Sequence, residues 1–346
     1  MEPLGGGRIW RIVRDDQPAP KATKLPAGGA DRVRLLTHPN GWVRDTAQRL
    51  LVEKRDPAAV VSLRKMAVAA ATPLARVHAL WTLEGVGGLD KVTVLAALAA
   101  QDARVCVAAI RVAEKLFKPT LDAEIVAKLV SLAVRSEPAV RLQLALSLGE
   151  AKTPAADAAL RALLIAAGEQ PYLVDAVVSG LARREADFVE AIVREAKAGG
   201  VAVKNAVIAA TVGALKANDT ARLGRVLAVA ADSTAPAWAR TAVLDGVDRA
   251  MPRLFDGKAV PATLSAEPKP LVALAAQGGS PESERATKLL ASLRWPGKSG
   301  MAAVAEVKLA PADQVRFDQG KAQFAALCAA CHQPEGQGLV GLAPPL

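Results

Sequence analysis

Cys328-Ala329-Ala330-Cys331-His332 sets two thiols three residues apart with an imidazole beside the second, the spacing of a c-type haem attachment site. In that chemistry each cysteine forms a thioether to a haem vinyl group and the adjoining histidine ligates the iron. The expected assignment is covalent attachment of one haem c through Cys328 and Cys331, with His332 as axial iron ligand. Two other chemistries use a Cys-x-x-Cys pair. Half of a zinc site would need further Cys or His ligands, and the others in the chain are Cys106, His38 and His78, far upstream within helical patterns. A redox dithiol of the thioredoxin kind would need a βαβ context that this Ala-rich segment lacks.

The elements that must position these residues are legible on either side. From Pro311 to Leu327 the pattern reads as one helix running into Cys328, with Phe317, Phe324 and Leu327 sharing a face. After His332 the run Gln333 to Leu346 is a Gly/Pro-rich loop. Together they resemble the opening third of a class I cytochrome c domain. That resemblance implies that Pro344 lends its backbone carbonyl to the Nδ1–H of His332, fixing the ring's tautomer and orientation. A domain of this class continues to a methionine as sixth ligand, whereas Met1, Met66, Met251 and Met301 all precede the motif. The chain therefore reads as a fragment whose cytochrome domain is cut short.

Composition sets the frame for the rest. At 346 residues and 51% apolar content there is room for two or more domains and a large core. The alanine-heavy mix, with 3% aromatic residues, favours closely packed helices and an all-α class. The net charge of +10 could favour acidic partners or anionic surfaces. The basic residues are nonetheless scattered singly, without the clusters and interleaved aromatics of a nucleic-acid binder, so no nucleic-acid partner is expected. No transmembrane segment is expected either, because the apolar stretch Val201 to Ala217 is broken by Lys204 and Lys216. The first residues carry no signal-peptide pattern. Since c-type haem is attached outside the cytoplasm, the expectation is a periplasmic or otherwise exported protein with an N-terminal segment missing.

Gly7 to Arg14 alternates basic and apolar residues as a strand does. It reads as the remnant of a preceding β domain, with a disordered tail as the alternative. Between the two ends helical patterns arrive in pairs. The second helix of a pair often opens with an Arg after a Pro or Asp, as at Pro39 to Arg44, Pro73 to Arg76, Asp102 to Arg104, Pro138 to Arg141 and Pro236 to Arg240. Two weaker second helices fit near Tyr172 to Leu181 and Val201 to Lys216, and a last pair fits Lys269 to Ala276 and Pro281 to Leu293. The spacing is that of a helical-repeat solenoid. The unit resembles the HEAT repeat or its shorter bacterial relatives, which implies that the turn Asp or Pro starts the second helix and that the Arg hydrogen-bonds along the stack.

Other chemistry-bearing residues read as structural. His38 at a turn and His78 on a helix could serve as a base or a haem ligand, but capping or core roles fit them better. Cys106, between two valines, reads as a buried small hydrophobe. Glu84 and Asp45 lack a partner carboxylate at a spacing suited to acid/base work, and no phosphate loop or nucleophile elbow is present.

The expected order is a β remnant over residues 1–16, a linker over 17–30, a HEAT-like solenoid of about eight helix pairs over 31–295, a linker over 296–310 and the start of a cytochrome c over 311–346. This order resembles a family of large secreted planctomycete-type proteins, in which a β-propeller like that of quinoprotein dehydrogenases is joined to HEAT-like repeats and a C-terminal cytochrome c. The resemblance is carried by Gly7 to Val13, His38 to Leu51 and His78 to Gly85. It implies an electron-transfer protein whose partners are an electron donor and acceptor or an attached dehydrogenase domain, any catalysis belonging to the absent propeller. The alternative is a non-catalytic interaction scaffold with an idle haem motif.

Overall fold

The computed structural model describes residues 15–16, 25–117, 121–196, 198–251, 261–298, 309–334, 336 and 343. The protein is mostly helical, and its contacts divide it into two compact units, Met1–Leu116 and Phe117–Leu346. The proposed strand at Gly7 to Arg14, as well as Met301 and Pro344, lie outside the described residues.

The first unit holds α1 (Gly29–Arg34), α2 (Gly41–Lys54), α3 (Pro57–Ala69), α4 (Pro73–Val86), α5 (Lys91–Leu98) and α6 (Ala103–Ala113). Each odd helix packs on the even one that follows, α1 on α2, α3 on α4 and α5 on α6. The odd helices also contact one another in sequence, as do the even ones. The result is three helix pairs in two layers. Local chemistry explains where each helix begins. Asn40, Asp56, Thr72, Asp90 and Asp102 each cap a helix by accepting a first-turn backbone N–H, and Pro57 and Pro73 occupy first positions where the missing N–H costs nothing. Val43, Ala47 and Leu51 on α2 and Ala59, Leu63 and Ala67 on α3 recur every four residues and are buried, so one stripe of each helix faces the interlayer core.

The second unit repeats this arrangement with five pairs among its described residues. These are α7 (Ala123–Ser131) with α8 (Pro138–Ala151), α9 (Pro154–Ala167) with α10 (Leu173–Ser179), α11 (Glu185–Glu195) with α12 (Val201–Lys216), α13 (Thr220–Ala231) with α14 (Ala237–Ala250), and α15 (Lys269–Gln277) with α16 (Pro281–Ala291). Small residues allow close approach within the even layer. A Cβ on Gly149 of α8 would lie 2.6 Å from the Cα of Gly180, at the end of α10, and one on Gly246 of α14 would lie 2.5 Å from Thr211 Cβ of α12. Ion pairs join neighbouring helices of one layer. Arg161 meets Glu195 at 2.8 Å, Arg222 meets Glu185 at 3.2 Å, Arg225 meets Asp187 and Glu190 at 2.7 Å each, and Arg240 meets Glu282 at 3.0 Å. A two-residue parallel pairing of β1 (Ala262–Thr263) with β2 (Leu293–Arg294) is the one departure from helix among the described elements.

The repeat arginines differ in part from the expectation of bonds along the stack. Arg76 Nε donates to Ala67 O at 3.0 Å and Arg141 Nε to Arg135 O at 2.9 Å, both within their own helix pair, while Arg104 binds its own cap, Asp102. Arg44 does both, donating to His38 O at 2.7 Å and, across to α4, to His78 Nε2 at 3.3 Å. The carbonyls where the preceding helix ends are the nearest acceptors left without intrahelical partners, and a guanidinium in the next helix's first turn reaches them first.

Candidate functional site

The final described helix, α17 (Pro311–Gln323), begins with Pro311 at its first position. It continues through a π-helical turn, Phe324–Cys328, into a last α-turn, Ala329–His332. Such single π turns mark places where a side chain is re-aimed. The helix stops directly after His332, because Gln333 takes a left-handed conformation with φ 67° and donates its N–H to Ala329 O at 2.9 Å. A residue other than glycine seldom adopts that φ.

Backbone geometry therefore sets Cys328, Cys331 and His332 at positions i, i+3 and i+4 of one helical segment, a spacing that puts side chains on a common face. Both thiols are exposed and free of any disulfide, and His332 is half-exposed. No residue from Pro311 to His332 is buried. Phe317 is 55% exposed and Leu327 77% exposed, so two apolar side chains of this segment stand in solvent, Leu327 directly preceding Cys328.

The chain matches no model of a known protein family and no curated protein.

The donor set at this helix end is two thiols and one imidazole, contributed by Cys328, Cys331 and His332. Among the described residues no group of three or more His, Cys, Asp or Glu gathers as a metal site. Haem iron carries its own four equatorial nitrogens, so the protein need supply only thiols for anchorage and an imidazole for the axial position. Cys328, Cys331 and His332 are the residues that would have to meet that need.

The other candidates have structural surroundings. His38 Nδ1 accepts the N–H of Asn40 at 3.0 Å, which makes it a turn cap. His78 sits between α2 and α4, where Nε2 accepts from Arg44 and Nδ1 lies 2.7 Å from Gln48 Oε1. Gln48 Oε1 can only accept, so this arrangement assigns the proton to Nδ1 and leaves the ring neutral. Burial, and after it the Arg44 charge, lower the His78 pKa from its ordinary 6.5, against a smaller opposing effect of Asp45. Cys106 is fully buried, with Sγ 3.8 Å from Leu98 O. Met251 is buried in the second unit and Met66 lies half-buried on α3.

One feature that sequence reasoning missed is an open groove of about 500 Å³ between the first turns of α12 and α14, with Trp238 on its wall. Trp238 was visible only as part of a repeat marker. A tryptophan two residues before the marker arginine was the available signal.

Proposed function

We propose that this chain is a c-type haem-carrying electron-transfer module, scaffolded by HEAT-like solenoid repeats. The observation that supports this most directly is the placement of two exposed, free thiols and an imidazole at i, i+3 and i+4 across the end of a π turn and the α-turn that follows it. Cys328 and Cys331 would hold the haem through thioether links to its vinyl groups, and His332 would hold its iron. When bound, the haem supplies a one-electron iron couple. Leu327, 77% exposed, offers apolar surface beside the attachment point.

The two-layer packing of helix pairs supports the repeat reading, since each pair buries its apolar stripes only by stacking on the next. By its resemblance to the secreted propeller–HEAT–cytochrome proteins, the chain takes electrons from a partner or attached dehydrogenase domain and acts in the periplasm or outside the cell. Among the described residues no helix is long and apolar enough to cross a membrane.

The test is expression in a periplasm with c-type maturation, followed by haem staining after denaturing electrophoresis and a reduced-minus-oxidised spectrum. The expected result is covalent haem with a reduced α-band, lost when Cys328 and Cys331 are both changed to Ala. His332→Ala should keep the covalent link while altering the spectrum of the iron. A wild-type chain that emerges without covalent haem refutes the proposal.

A further inference from the structure

The groove between α12 and α14 has a volume of about 500 Å³, within the size of small-molecule sites. Its wall is built around one aromatic ring. A Cβ on Gly199 would fall 2.3 Å from Trp238 Cδ2 and 2.4 Å from Cγ, so bare glycine backbone backs the indole while the ring also lines the groove. Trp238 Nε1 is sealed from water and has no acceptor among the described residues, an unmet donor of a kind that buried tryptophans rarely leave.

The rim is polar on both sides. Lys204 and Asn205 on α12 and Thr241 on α14 are exposed, and Asp245 on α14 is half-buried. Asp245 is held by Arg285 at 2.5 Å, so its negative charge is compensated. Lys204 has no ion-pair partner among the described residues. Neither α12 nor α14 has a side-chain N-cap, Gly200 and Pro236 standing at those positions, which adds a weak positive field at the same end. The groove thus combines an aromatic wall, a planar amide, a hydroxyl, a compensated carboxylate and one cation unpaired among the described residues.

We propose that this groove binds a short saccharide bearing a uronic acid. One pyranose ring lies against Trp238, the uronate carboxylate meets Lys204, and ring hydroxyls bond Asn205, Thr241 and Asp245. A planar amide and a carboxylate each hold adjacent hydroxyls well, and the flat C–H face of a pyranose suits an indole. An extended peptide is a poorer fit, because that mode of recognition draws on a run of backbone partners or regularly spaced pockets, whereas this groove offers a single Asn and a single aromatic ring.

Titration calorimetry on the full chain tests the assignment, with trigalacturonate as the probe, maltotriose as its neutral counterpart and pentaglutamate as an acidic peptide. Trigalacturonate should bind with one-to-one stoichiometry and more tightly than either comparison ligand. Lys204→Gln should weaken it by about ten-fold or more, the effect of one charge-assisted hydrogen bond. Asn205→Ala should weaken it as well, and Trp238→Ala should abolish it. Lys204 and Asn205 are exposed, so their variants carry the test should Trp238→Ala fail to fold. Absence of trigalacturonate binding, or binding unchanged in Lys204→Gln and Asn205→Ala, overturns the site. Equal affinity for maltotriose overturns the acidic assignment, and tighter binding of pentaglutamate replaces the saccharide with a peptide.

Discussion

Arg222 and Glu185 form an ion pair between α13 and α11 whose side chains are only 14% and 11% exposed. Glu185 Oε1 also accepts the Arg183 N–H at 3.2 Å, and Arg222 Nη2 donates to Asp219 at 3.0 Å. Changing Arg222 to Met leaves the Glu185 carboxylate buried with one weak backbone donor. Removing one partner from a buried pair costs about 3–5 kcal/mol. The remaining Arg183 contact places this variant near the lower end, about 3 kcal/mol. The double variant Glu185→Met/Arg222→Met removes both charges together and should regain most of that loss, since apolar replacement of a whole buried pair is often neutral or stabilising by about 1–4 kcal/mol.

Helix-pair arrays can open locally, so the assay is native-state hydrogen exchange followed by mass spectrometry over α11 and α13. A loss of about 3 kcal/mol raises the local opening constant by roughly a hundred-fold. Arg222→Met should speed exchange in both helices by that order and leave α7 and α8, which do not pack on α13, little changed, while the double variant returns toward wild type. Equal protection in wild type, single and double variants would refute the reasoning, for it would mean that the pair is solvated and worth no more than a surface contact.

The stability of the first unit should fall on acidification through His78. Its folded pKa lies below the ordinary 6.5, so below that value the unfolded chain binds a proton that the folded one does not. Stability is fully present above about pH 6.5 and is lost as pH falls toward the folded value. Urea unfolding between pH 7.5 and 5.5 should show this slope, and His78→Gln should flatten it; an unchanged slope in that variant would assign the effect elsewhere. Gly149→Ala should destabilise α8 and α10 by about 1–3 kcal/mol, because the new methyl meets backbone at 2.6 Å. Gly224→Ala, with nothing within 4 Å of the added carbon, should be neutral or stabilising by up to about 1 kcal/mol. Thermal melts of the two variants decide both, and loss of stability in Gly224→Ala would contradict the account.

The helices were legible where local chemistry specifies them. The Val201 to Lys216 stretch is α12 with the same bounds, read from its apolar content alone, and Pro281 to Ala291 forms α16, where the Ser280 cap and a first-position proline add to the period. The spacing of Cys328, Cys331 and His332 is equally local, since it lies within five consecutive positions. The π turn before them was not legible, since no residue type marks one extra backbone step. The β1–β2 pairing joins residues about thirty apart through two positions each, too short to leave a period-two pattern.

The ion pairs between helix pairs were hidden more thoroughly, and they say the most about how the second unit is specified. Glu185, Asp187 and Glu190 on α11 face Arg222 and Arg225 on α13, while Glu195 at the far end of α11 turns the other way to Arg161 on α9. The acids of one helix thus serve two neighbours. Moving α11 by one turn would carry Glu195 away from Arg161 and leave Glu185 buried without Arg222, whereas the alanine- and valine-rich apolar stripe would still find apolar surface to cover. Apolar packing tells these helices to stack, and the partly buried charges tell them at which height. That division of labour explains why composition and period suffice to read the class of fold, while the register between neighbouring helices becomes visible only once residues 34 to 38 positions apart are seen side by side.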